Sequence, residues 1–223
     1  MTNQYIANYH TVSDFQTPPQ ASNTDMGSHP DLQDTPAQSI TGLILAGGRG
    51  SRTGGRDKGL VLWRGKPLVA HTVARVRPQV KTLLISCNRN PKEYNKLVAD
   101  PVIDLREDYQ GPLAGLEAAI DRVTTEYLLL AACDVPELPL DLGSRLYHKL
   151  NSDASRQYNV CVPWDGEREQ YLCALIRRSA LASLGDFLDG GGRAVRLWYR
   201  AQHYTVVDCS DCPSSFQNIN RPE

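Results

Sequence analysis

Several things are missing from this 223-residue chain, and each absence closes off a class of function. Positive charge is not in excess. The formal net charge is −1, whereas a general binder of DNA or RNA carries a basic surplus. No apolar run approaches the roughly 20 residues of a membrane-spanning helix. Met1 to His10 hold neither the basic cluster nor the apolar stretch of an export signal. The expected setting is therefore the cytoplasm, and the expected ligand a small anion, with no nucleic acid and no membrane. His71, His148 and His203 are scattered, with no pair at metal-ligand spacing. No Ser-His-Asp constellation has local support, and no internal repeat is visible.

Cysteine occurs without the company that would make it functional. Cys87, Cys133, Cys161 and Cys173 sit singly in apolar, strand-like runs, where a thiol behaves as a small hydrophobe. Cys209 and Cys212 form a lone C-x-x-C, with no second pair or paired histidines to complete a tetrahedral zinc site. Asp208 and Asp211 flank that pair, and negative neighbours disfavour a thiolate.

Lysine and arginine are absent from residues 1–39, which carry Asp14, Asp25, Asp31 and Asp34 and four prolines. Sparse, aperiodic apolar residues cannot offset the entropy of ordering such a stretch. The expected organisation is a disordered N-terminal extension over 1–39 and one folded domain over 40–223. Removing four negatives from −1 leaves +3 for that domain, a bias that suits an anionic ligand.

Within the domain, strand-like and helix-like runs alternate. Ile40 to Ala46, Thr82 to Ser86, Pro101 to Ile103, Tyr127 to Cys133, Asn159 to Pro163, Tyr171 to Ile176 and His203 to Val207 read as strands. Helical spacing covers Pro67 to Val76, a short stretch from Asn90, Gly111 to Ile120, Pro139 to Leu150, and segments near 178–188 and 193–200. Alternation of this kind predicts a single-domain, Rossmann-like α/β three-layer sandwich, its mostly parallel sheet carrying helices on both faces. Ligands of such sheets lie beyond the C-terminal ends of the strands.

The first strand runs straight into Leu45-Ala46-Gly47-Gly48-Arg49-Gly50-Ser51-Arg52-Thr53-Gly54-Gly55-Arg56-Asp57-Lys58-Gly59. Glycines let backbone N–H groups approach oxygens closely, and consecutive N–H groups form an anion-binding concavity. Arg49, Arg52, Arg56 and Lys58 add cationic reach toward phosphates. The loop is not a dinucleotide fingerprint, because Thr53 stands where the third glycine belongs. Gly59 to Lys66 is not a P-loop: its glycines are one residue too far apart, and Pro67 replaces the magnesium-binding hydroxyl.

Asp134 follows the most apolar run, at the sheet edge shared with the glycine loop. On chemistry alone it reads equally as a helix cap or as a magnesium ligand. Asp104 ends the short third strand and reads as a turn residue or a ligand contact. Asn88, before Pro91, can serve a turn as readily as a ligand. Trp164 to Gln170 forms a charged connector with Asp165-Gly166 as its hairpin signal. Gly190-Gly191-Gly192-Arg193 precedes a helix bearing Arg196 and Trp198, an arrangement open to an anion or to a plain surface turn.

These stretches together carry a resemblance. L-A-G-G-x-G-x-R-x-G-x-x-K resembles the signature loop of sugar- and cofactor-nucleotidyltransferases. Asp57-Lys58-Gly59, Gly65-Lys66-Pro67-Leu68, Gly111-Pro112-Leu113-Ala114-Gly115, Cys133-Asp134-Val135-Pro136 and the closing Asn218-Ile219-Asn220-Arg221-Pro222-Glu223 narrow it to the molybdenum cofactor guanylyltransferase family, over residues 40–223. The resemblance implies GMP transfer from GTP to the terminal phosphate of molybdopterin, with Mg²⁺ as cofactor and pyrophosphate as product. It implies Lys58 and Asp134 as catalytic residues, Asp134 as the metal ligand, and Leu45, Ala46, Gly47, Gly48, Arg52, Lys58, Asn88, Asp104 and Asp134 as the nucleotide site. Arg168, Arg193, Asn218 and Asn220 are implied on the acceptor side. The partners expected are GTP and molybdopterin, with a transient contact to cofactor-synthesis proteins or a molybdoenzyme. One departure stands out: Ser86 occupies the place of the family's first asparagine in Asn-x-Asn, which leaves Asn88 as the substitute. The alternatives are a nucleotidyltransferase with another NTP and a sugar-phosphate acceptor, or a non-catalytic nucleotide-binding module.

Overall fold

A computed structural model describes residues 36–48, 57–108, 110–152, 154–155 and 157–220. The expectation of disorder over the extension falls on residues 1–35, outside the described residues. Arg49, Arg52 and Arg56 of the glycine loop, and the closing 221–223, also lie outside them. Pro36–Ser39, read from the sequence as the end of the extension, forms a 3-10 turn leading into the first strand.

The elements follow in chain order: β1 (Ile40–Leu45), the short hairpin β2 (Leu62–Trp63) and β3 (Lys66–Pro67), α1 (Leu68–Val76), β4 (Thr82–Ser86), α2 (Pro91–Asn95), α3 (Pro112–Ala118), β5 (Tyr127–Ala132), α4 (Leu142–Asn151), β6 (Val160–Trp164), β7 (Leu175–Arg177), α5 (Leu184–Asp189), α6 (Val195–Ala201) and β8 (Tyr204–Asp208). Six strands make one sheet in the order β4-β1-β5-β7-β6-β8. β1 pairs parallel with β4 and β5, and β6 pairs parallel with β8. Only β7 runs antiparallel, between β5 and β6. The sheet is thus mostly parallel, as the alternation of strands and helices predicts.

The side-chain period of a strand divides the core in two. Ile40 and Ile44 of β1 pack with Tyr127, Leu129 and Ala131 of β5 on the face covered by α1 and α4. Leu43 and Leu45 pack with Leu128 and Leu130 on the face covered by α3, α5 and α6. Every residue of β1 and β5 is buried, which explains why both read as unbroken apolar runs rather than alternating ones. Among the described residues no helix is long and apolar enough to cross a membrane.

Two strand expectations need correction. Pro101 to Ile103 is not a strand but a single parallel bridge, Ser86 to Val102. Pro101 has no N–H to contribute, and only Val102 exchanges bonds with β4, through Val102 N–H to the Ile85 carbonyl and Cys87 N–H to the Val102 carbonyl. Tyr171 to Ile176 contributes only its end to β7. Cys173 N–H turns back onto the Gln170 carbonyl, so the chain curls before Ala174 exchanges bonds with Leu130. The helix expected from Pro139 starts at Leu142.

The direction of β7 decides where everything else emerges. Two antiparallel pairings in succession make β6 run parallel to β5, and β8 follows β6. The C-terminal ends of β1, β4, β5, β6 and β8 therefore share one edge of the sheet.

Candidate functional site

Three of those strand ends bring the expected residues together. β1 delivers Ala46 to Gly48, β4 delivers Cys87 and Asn88, and β5 delivers Cys133 and Asp134. The ends are stitched by backbone bonds: Ala46 N–H to the Ser86 carbonyl at 2.8 Å, and Cys133 N–H to the Leu45 carbonyl at 3.1 Å. Parallel register alone places them side by side, because Leu45 sits opposite both Ser86 and Ala132.

Lys58 leads the 3-10 turn Lys58–Leu60 beyond the glycine loop, and its ammonium makes an ion pair with Asp134 Oδ2. The same Nζ donates to Asn220 Oδ1 at 2.8 Å. The Lys58 and Asp134 side chains keep 26% and 17% of their surface exposed, so an incoming phosphate or cation can reach both. The segment after β8 is held beside them: Phe216 is buried, and Ile219 N–H donates to the Asp134 carbonyl at 2.9 Å.

A second cluster surrounds Asp104. Asn88 Nδ2 donates to Asp104 Oδ2 at 2.7 Å, and Asp104 N–H donates back to Asn88 Oδ1 at 3.0 Å. Ser86 Oγ donates to Asp104 Oδ1 at 3.4 Å, so the serine belongs to the same cluster. Burial raises the Asp104 carboxyl above the usual range; hydrogen bonds from Asn88 and Ser86 work against that, and the charge of Glu117 works with it. Gly115 of α3 lies against this cluster, since a Cβ there would come within 2.5 Å of Ser86 Oγ.

A third set of contacts was not anticipated. Asp57 accepts from Tyr94 Oη at 2.5 Å and from Asn90 Nδ2 at 3.1 Å. Burial, then the bond to Asp57, hold the Tyr94 phenol far above its ordinary range, so it stays a donor. The signal available in the sequence is the tripeptide Asp57-Lys58-Gly59, whose aspartate sits beside the lysine.

The acceptor-side residues divide. Asn220 joins Lys58. Asn218 is exposed on the same segment. Arg168 is exposed at the tip between β6 and β7, 3.9 Å from Asp165 and on the same sheet edge. Asp165 itself is a turn organiser. Although burial pushes its carboxyl up, N–H groups of Arg168 and Glu167 and the Gln170 amide outweigh that and hold it below the usual range. Arg193, ahead of α6, donates to the Leu188 and Gly192 carbonyls at 2.7 and 2.6 Å and to Gln110 Oε1 at 2.7 Å. Trp198 is wholly buried and donates to Ser183 Oγ. It packs the core rather than lining a ligand surface.

All six cysteines are free. Burial raises Cys87 and Cys209 to about 11 and Cys173 to about 12, and it raises Cys212 too, aided by Asp211. Among the described residues no group of His, Cys, Asp and Glu side chains is arranged to hold a metal by itself. Asp134 still suits magnesium, which takes one or two protein carboxylates and completes its shell with substrate phosphates and water.

Residues 42–205 match the family model of the MobA-like NTP transferase domain. A curated relative from Shewanella halifaxensis, named molybdenum cofactor guanylyltransferase, is 41% identical over 184 residues, covering 82% of this chain and 90% of its own. A relative of the same name from Shewanella woodyi is 42% identical, covering 82% of this chain and 92% of its own. Among solved structures, molybdopterin-guanine dinucleotide biosynthesis protein A from Archaeoglobus fulgidus superposes with a TM-score of 0.65 at 23% identity, over 82% of this chain and 93% of that one.

Proposed function

The chain belongs to the MobA-like NTP transferase family, and from that premise we propose how it moves GMP from GTP onto the terminal phosphate of molybdopterin. The observation that carries the reading is the meeting of Lys58 and Asp134 at the edge where the glycine loop leaves β1. A cation and a carboxylate, both reachable by solvent, flank a loop suited to phosphates.

GTP lies with its triphosphate over the loop from Leu45 to Lys58. The base sits toward Asn88 and Asp104, whose mutual bonds fix the carboxylate before any ligand arrives. Asp134 is the residue that would hold Mg²⁺, which when bound offsets charge on the phosphate oxygens. Lys58 is then drawn from Asp134 toward the α-phosphate and the departing pyrophosphate. Asn220 follows Lys58 and keeps its ammonium at the acceptor side. An oxygen of the molybdopterin phosphate attacks the α-phosphorus in line. The bond between that phosphorus and the oxygen bridging to the β-phosphate breaks, and its electron pair leaves with pyrophosphate. No covalent enzyme intermediate is needed, so rate comes from positioning and electrostatics. Arg168 and Asn218 face the acceptor. A cytoplasmic setting and a transient contact with molybdoenzymes or cofactor-synthesis proteins belong to the same proposal.

The test is pyrophosphate release with molybdopterin and each of GTP, CTP, ATP and UTP in turn, with Mg²⁺ present and then chelated. GTP-specific, magnesium-dependent release is expected. Preference for CTP, or turnover only with a sugar phosphate, would move the chain to another nucleotidyltransferase activity. Tight GTP binding without turnover would make it a binding module.

A further inference from the structure

The segment after β4 holds both margins of the glycine loop. Arg89 donates to the Gly48 carbonyl at 3.0 Å on one side. On the other, Tyr94 and Asn90 occupy the two carboxylate oxygens of Asp57. Asp57 stands where an aspartate ordinarily caps the N–H groups of the turn it precedes. Here its side chain makes no such cap bond and is turned toward α2 instead. Tyr94 is fully buried among Cys87, Val98 and Cys133, so its hydroxyl is a fixed point. Gly59 completes the fit: a Cβ there would lie 2.5 Å from the Tyr94 hydroxyl. The residues on both sides of Lys58 are therefore shaped around one phenol.

We propose that Tyr94, assisted by Asn90, is a positioning residue for Lys58 and acts through Asp57. The proposal rests on the catalytic role given to Lys58 above and adds the side chains that fix where its stem begins. A lysine has a flexible four-carbon stem, so its backbone must be set if its ammonium is to meet a phosphate reliably. Displacement of a reacting group by about 1 Å can cost on the order of 10² in rate.

The experiment measures kcat and KM for GTP and molybdopterin, with a melting curve, on Tyr94→Phe, Asn90→Gly, Lys58→Ala and the Tyr94→Phe/Lys58→Ala pair. Glycine is chosen at 90 because Asn90 has φ +51°. Tyr94→Phe lowers kcat about tenfold and leaves KM for molybdopterin unchanged. In the Lys58→Ala background the same change has no further effect, because the group it positions is gone. Equal losses in both backgrounds would mean general packing and would overturn the proposal. So would wild-type kcat in a folded Tyr94→Phe. If Tyr94→Phe fails to fold, Asn90→Gly in both backgrounds takes its place: an effect seen only with Lys58 present supports the proposal, and an equal effect in both overturns it. Wild-type turnover by Lys58→Ala alone would instead strike the functional reading, and this proposal with it.

Discussion

Two charged clusters cap the two ends of β5, and they are built for opposite purposes. At the first residue, Tyr127, sits Arg177. Its guanidinium is buried and bonds the Tyr158 and Leu150 carbonyls, the Tyr127 hydroxyl, the Asn151 amide oxygen and Glu126. Beyond the last residue, Ala132, sits Asp134 with Lys58. That pair is partly exposed, and each partner is a side chain that can be drawn off by a ligand. The difference teaches how to read charge in this fold. A buried guanidinium whose donors tie carbonyls and side chains of several elements at once staples them together, whereas an ammonium in reach of solvent, held by two side chains, is available for exchange.

The contrast would break if the two ends responded alike to mutation. Asp134→Asn should have the largest effect, abolishing magnesium-dependent turnover, a loss of about 10³ or more, while circular dichroism and melting temperature stay near wild type. Lys58→Ala should cost roughly 10²–10³ in kcat, again in a folded protein, as read by single-turnover pyrophosphate release. At the other end, Arg177→Met should leave kcat at low temperature unchanged. It should cost about 2–4 kcal/mol of stability in urea melts, because buried carbonyls and the Tyr127 hydroxyl lose their donor. Loss of turnover without loss of stability at Arg177 would erase the distinction.

Asp104 sharpens the comparison with a smaller effect. Its folded-state pKa is raised, so protonation favours the fold, and that contribution fades as pH rises through the elevated value. Above that point the carboxylate opposes folding. Asp104→Asn should therefore stabilise the ligand-free protein at neutral pH, by no more than about 1 kcal/mol given its partial exposure. The same variant should weaken GTP binding. An unchanged or lower melting temperature, together with unchanged GTP affinity by calorimetry, would show that the carboxylate is an ordinary turn residue.

What the sequence disclosed, and what it hid, follows from the range of the contacts. The strand order near the glycine loop was legible because parallel α/β connectivity forces Leu45, Ser86 and Ala132 to one edge, whatever their side chains. Lys58 and Asp134 could thus be expected to meet. That Asn220 joins them was not legible: the resemblance implied it only on the acceptor side, 162 residues separate it from Lys58, and no local period encodes the contact. Tyr94 was hidden for a different reason. A tyrosine in a short helix looks like core, and it is core; its polar tip matters only because Asp57 lies against it. The partners of Arg193 were hidden because glycines before an arginine fit an anion site and a helix-end cap equally well, and no local pattern marks the Leu188 and Gly192 carbonyls it meets. Pro101 to Ile103 failed as a strand because apolar composition does not reveal that one residue alone finds partners.

Five of the six thiols are buried, and Cys212 is the one with some exposure. It lies eight residues before Asn220, at the root of the segment that reaches Lys58. A single maleimide dye, added to the native protein without any engineered cysteine, should attach there first. Its emission would then report on whether that segment shifts as substrates come and go, giving a spectroscopic view of turnover from a residue with no part in it.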